Sequence, residues 1–60
     1  MLTARSLSGA YKQLSQEYKA AHNSGDDVKA DKLYNLAQDC LFDSYLTISQ
    51  VKSRYNRIAA

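Results

Sequence analysis

Sixty residues contain no proline, only two glycines, and one stretch that reads as a helix stop, Asn23-Ser24-Gly25-Asp26-Asp27. Asn and Gly tolerate the left-handed backbone that ends a helix. Ser24 or Asp26 can cap the next one, and Ser24-x-x-Asp27 fits a capping box loosely. Asp26 and Asp27 also suit the positive end of a helix dipole. The fold class this predicts is all-α, a two-helix antiparallel hairpin. Helix 1 is expected over about residues 4–22, the turn over 23–26, and helix 2 over about 27–58.

The two helices differ in how much apolar surface they carry. In helix 1, Ala4, Leu7, Tyr11, Leu14, Tyr18 and Ala21 recur at steps of three and four, a narrow seam for one partner. Gly9 interrupts it and predicts either a frayed first turn or a close helix approach. Helix 2 carries one stripe through Ala30, Leu33, Ala37, Leu41, Tyr45, Ile48 and Tyr55, and a second through Leu36, Cys40 and Leu46. An apolar surface wider than one seam predicts more than one neighbour.

A hairpin turning at Gly25 leaves helix 1 exhausted opposite Ile48. The remaining overhang, roughly 15 Å at 1.5 Å per residue, still carries Val51, Tyr55 and Ile58. Leaving such side chains in water forgoes about 1.5–3 kcal/mol for each large one. A chain this short is marginally stable by itself. The sequence therefore predicts a homodimer, two hairpins forming a four-helix bundle about a two-fold axis. The expected oligomer or partner interface is Leu36, Cys40, Tyr45, Ile48, Val51, Tyr55 and Ile58.

Covalent and metal staples are closed, which leaves oligomerisation or unusually good helix packing as the source of stability. Cys40 is the only cysteine and His22 the only histidine, which rules out an internal disulfide and leaves no Cys/His metal cluster. The opening residues Met1-Leu2-Thr3-Ala4-Arg5-Ser6 lack a signal-peptide core, and no apolar run approaches a membrane span of about 20 residues. The expectation is a soluble cytoplasmic chain with no membrane partner. With 45% hydrophobic residues and mixed charges, it is not a disordered tail.

The segment Gly25-Asp26-Asp27-x-x-Ala30-x-x-x-Tyr34-x-x-Ala37 is similar to the turn and second helix of a tetratricopeptide unit. The match covers about a dozen residues. Helix 1 lacks that family's pattern and no proline follows helix 2. The resemblance implies helix-turn-helix packing with small alanines at the crossing, and not membership.

Catalytic groupings are missing from the pattern. Within a hairpin, His22 and Cys40 stand about 18 Å apart along the axis, too far for a nucleophile and its base. His22 suits the C-terminal end of a helix dipole, and Cys40 reads as a small buried hydrophobe. Asp27/Asp31 and Asp39/Asp43 are i,i+4 carboxylate pairs, but the Glu-x-x-His of di-iron bundles does not occur. No catalytic residue, metal site or cofactor is expected.

Charge is more informative. Arg5, Lys12, Lys52, Arg54 and Arg57 fall at the hairpin's open end with no acid among them, while the turn-side remainder holds six acids and three lysines. Arg5, Lys52, Arg54 and Arg57 are thus candidates for contact with phosphate or an acidic partner, with Tyr55 between the two arginines. Against this, basic residues near a helix C-terminus complement its dipole, and a net charge of +2 is small for a nucleic-acid binder.

The function these features predict is a small non-catalytic protein–protein interaction module, an accessory or regulatory adaptor or inhibitor of bacterial or phage type acting as a homo-oligomer. Its partners are itself and a further protein. The alternative is a nucleic-acid-associated accessory protein using the basic open end.

Overall fold

A computed structural model describes residues 2–59, so Met1 and Ala60 lie outside the described residues. The described chain is three helices, α1 (Leu7–Asn23), α2 (Asp27–Phe42) and α3 (Ile48–Ala59). No strand occurs among the described residues.

Ser6 caps α1, its Oγ accepting from the Gly9 amide at 3.2 Å. The preceding arm does not extend the helix. It packs back on the molecule, with Leu2 buried and the Thr3 amide donating to Gln13 Oε1 at 3.1 Å. The arm packs beside Gly9, where a Cβ would lie 3.4 Å from both the Ala4 Cβ and Ser6 Oγ, a distance of ordinary contact.

The turn forms as a Schellman motif. The Asp26 amide donates to the Ala21 carbonyl at 2.9 Å and the Gly25 amide to the His22 carbonyl at 3.1 Å. Gly25 takes φ +83°, which a side chain would strain. Asp26 caps α2 through the Lys29 amide at 3.2 Å. Ser24 is not the cap, because its hydroxyl donates to the Ala21 carbonyl at 2.9 Å.

The expected continuous helix over 27–58 is corrected. α2 stops at Phe42, and the chain turns through 43–47 before α3. The break needs neither glycine nor proline. Asp43 is extended, with φ −90° and ψ 101°. Its Oδ1 accepts from the Tyr45 amide at 3.0 Å, and its carbonyl from the Leu46 amide at 3.2 Å. This is a side chain competing with the helix for backbone donors. Thr47 and Gln50 then cap α3 reciprocally. The Gln50 amide donates to Thr47 Oγ1 at 3.2 Å, and the Thr47 amide to Gln50 Oε1 at 2.9 Å. Leu46 and Val51 occupy the two positions of a hydrophobic staple across this cap, and both are buried.

Folding back brings Val51 and Tyr55 into one core with Leu14 of α1 and Leu33, Leu36 and Cys40 of α2. Ala10 and Ala21 of α1 and Ala30 and Ala37 of α2 complete the principal interface. The wide apolar surface of α2 does have two neighbours, and both belong to the same chain. The apolar overhang that motivates a second copy is itself α3, folded back so that its apolar side is covered within the chain. The two-helix hairpin becomes a three-helix unit, 31 × 21 × 15 Å in extent.

Candidate interaction surface

The flanks of α1 and α2 serve different purposes. Neighbouring residues of a helix are about 100° apart, so Glu17 and Tyr18 point to opposite sides of the buried α1 face. On the Glu17 side lies α3, whose Tyr55 hydroxyl donates to the Glu17 carboxylate. Gln13 Nε2 donates to the other Glu17 oxygen at 3.3 Å, joining the N-terminal arm to the same network. The bond to Glu17, followed by burial and the carboxylate's charge, pushes the Tyr55 phenol up to about 12. On the α2 flank facing α3, Arg54 Nη1 pairs with Asp39 Oδ2 at 2.8 Å, with both side chains half-exposed.

The other flank is open. Tyr11, Ser15 and Tyr18 of α1 face Tyr34, Ala37 and Gln38 of α2 across a hollow of about 550 Å³, with Lys12 and Lys19 on its rim. No carboxylate lines it. Toward the turn a smaller hollow of about 200 Å³ shares Tyr18 and Tyr34 but adds Asp27 and Asp31. The Tyr18 and Tyr34 rings meet at 5.5 Å and 48°, and His22 stacks on Tyr18 at 6.1 Å and 17°. Along the groove Lys12 thus stands toward the open end, Asp27 and Asp31 toward the turn, and the Tyr18–Tyr34 pair, with Lys19 beside it, in the middle.

Exposed apolar residues continue this face. Leu41 lies two turns beyond Tyr34 on the same side of α2, and both are about half exposed. Phe42 and Tyr45, 78% and 90% exposed, stand at the α2–α3 corner, and Val28 is exposed at the other end of α2.

Of the residues expected at an interface, only Tyr45 lies fully open. Leu36, Cys40, Val51 and Tyr55 are buried in the chain's own core, and Ile48 and Ile58 pack partly buried against it. Burial raises the Cys40 thiol above its ordinary value, opposed by the nearby Arg54 charge and assisted by Asp39. The basic candidates are not gathered at one open end. Arg54 and Arg57 are carried back along α2 to a cleft with Lys32 and Asn35. Arg5 in the arm and Lys52 on α3 do not line that cleft.

Among the described residues no group of three or more His, Cys, Asp or Glu side chains could hold a metal ion, and no helix is long and apolar enough to cross a membrane. Comparison with protein-family models, with curated proteins and with solved structures gives no match.

Proposed function

We propose that this chain is a small non-catalytic protein–protein interaction module that works as a homodimer, two copies lying antiparallel across the α1–α2 groove. The observation that carries the reading is the groove's polarity, with Lys12 at one end, Asp27 and Asp31 at the other, and the Tyr18–Tyr34 pair, with Lys19 beside it, between. Such a surface is self-complementary about a two-fold axis through the tyrosines.

The register supports it. With Tyr18 level with Tyr34, Lys12 of one copy falls within about 3 Å, measured along the axis, of Asp27 and Asp31 of the other. The same axis, crossing α2 between Tyr34 and Asn35, sets the exposed Val28 of one copy level with the exposed Leu41 of the other. A stable interface takes about 800 Å² from each partner, which is about a fifth of this chain's 4215 Å². The groove and the adjoining α2 face are the open surface suited to supply it. Occupying this face, or the corner at Phe42 and Tyr45, is how an adaptor or inhibitor of this size acts on a further protein.

Sedimentation equilibrium from low to high micromolar concentration tests the reading. The expected result is a concentration-dependent dimer that Tyr34→Lys reduces to a folded monomer. A wild-type chain that stays monomeric throughout contradicts it.

A further inference from the structure

We infer that the cleft between α2 and α3 is a phosphate-binding site, separate from the α1–α2 groove. Lys32 and Asn35 stand one turn apart on α2, and Arg54 and Arg57 one turn apart on α3. The four side chains and Ile58 line a hollow of about 320 Å³. This convergence exists only because α3 folds back, bringing Lys32 and Asn35 to residues that follow them by 19 positions or more.

The charges in the cleft are unbalanced. Arg54 is held by Asp39 at 2.8 Å. A guanidinium has five N–H donors in a rigid fork, so one carboxylate does not exhaust it, and the pairing fixes its direction. Lys32 and Arg57 make no ion pair among the described residues. The lining of the cleft itself holds these three cations and no carboxylate. The neighbouring acids lie outside it, and two of them stand beside its arginines, Asp39 on Arg54 and Asp43 near both. Asp31 lines the tyrosine groove, and Asp43 a separate hollow beside Leu46 and Gln50 that also touches Arg54 and Arg57. Three cations converging on a lining without a carboxylate suit an anion. Arginine presents the bidentate geometry phosphate oxygens accept, and Asn35 adds a neutral amide donor. The hollow exceeds a bare phosphate in size, and Ile58 offers an apolar wall to whatever carries it.

The ligand chemistry is therefore a phosphate group, from either a small phosphorylated molecule or a nucleic-acid backbone. The test is titration of the ¹⁵N-labelled protein at low salt with pyrophosphate, with a nucleoside monophosphate, and with a thymidine oligonucleotide. The expected result is saturable binding with amide shifts centred on Lys32, Asn35, Arg54 and Arg57. Lys32→Gln with Arg57→Gln, both exposed positions, is expected to weaken it about a hundredfold, since each charge-assisted bond is worth about a factor of ten. Arg5→Gln with Lys52→Gln removes the same net charge away from the cleft and is expected to leave affinity within about twofold. Binding of the small phosphates identifies the first source, and binding of the oligonucleotide alone the second. No saturable binding by any of the three, or equal losses in the two double variants, overturns the site.

Discussion

The Tyr55 hydroxyl on α3 donates to the Glu17 carboxylate on α1, across 38 residues of sequence. Among the described residues it is the only side-chain hydrogen bond that ties the third helix to the first. It has a pH consequence. The Tyr55 phenol is pushed up to about 12 in the folded chain, from an ordinary value of 10. A group whose folded value is raised contributes its full stability below the unfolded value and loses it as pH rises through the folded one. The contribution is thus complete below pH 10 and gone above about 12. Phenolate absorbance during alkaline titration is expected to show a late step at about pH 12. Tyr55→Phe should abolish that step and cost about 1–2 kcal/mol at neutral pH.

The joint between α2 and α3 gives a prediction whose sign decides the topology. Thr47→Ala removes an N-cap and should destabilise the chain by about 1 kcal/mol in denaturant titration. Were residues 27–58 one helix, the same change would replace a β-branched residue with the best helix former and raise stability by a few tenths of a kcal/mol. Asp43→Ala is expected to act in the same direction as Thr47→Ala, because it removes the acceptor that turns the chain at Tyr45.

Cys40 reports whether α3 stays docked. It is buried, and burial is the main reason its thiol lies above the ordinary value. The native protein should react slowly with a thiol reagent at neutral pH, because the thiolate is the reactive form. The rate should climb in sub-denaturing urea as α3 opens. Fast labelling of the native chain, matching a free thiol, would mean that α3 does not cover this position.

Core and surface positions should separate cleanly by size of effect. Leu33 is fully buried. Leu33→Ala is expected to cost about 2–5 kcal/mol. That is most of the stability available to a 60-residue chain, which at about 0.05–0.15 kcal/mol per residue has roughly 3–9 kcal/mol. Circular dichroism should show it largely unfolded at 37 °C. Phe42→Ser, at a residue 78% exposed, should change monomer stability by less than about 0.5 kcal/mol.

Much of this architecture is legible from sequence, and the failures have physical causes. Helix 1 and the Gly25 turn are readable because heptad spacing and a left-handed glycine are strong local signals. The end of α2 is not, because Asp43 and Thr47-x-x-Gln50 break the helix with hydrogen bonds that side chains make only part of the time. Thr47-x-x-Gln50 between Leu46 and Val51 is nonetheless a capping box with its staple, and it is the signal that could have located α3. The width of the apolar surface on residues 27–58 correctly indicates two neighbours. It does not reveal that the second is the chain's own C-terminal segment, and this is why Val51 and Tyr55 read as interface residues yet lie in the core. Tyr11 and Tyr18 read as seam residues, and in the structure they share one flank with Tyr34. Only the packing of α3 on the opposite flank leaves their side open as a groove.

The antiparallel dimer is tested most directly by exchanging the two ends of the groove. Lys12→Glu makes the basic end acidic, and Asp31→Lys makes the acidic end basic. Sedimentation equilibrium is run on each variant alone and on an equimolar mixture. The dimer model predicts that each variant alone is a folded monomer at concentrations where wild type is dimeric, and that the mixture dimerises with near wild-type affinity. Self-association of each variant like wild type, or a mixture that stays monomeric, would contradict it.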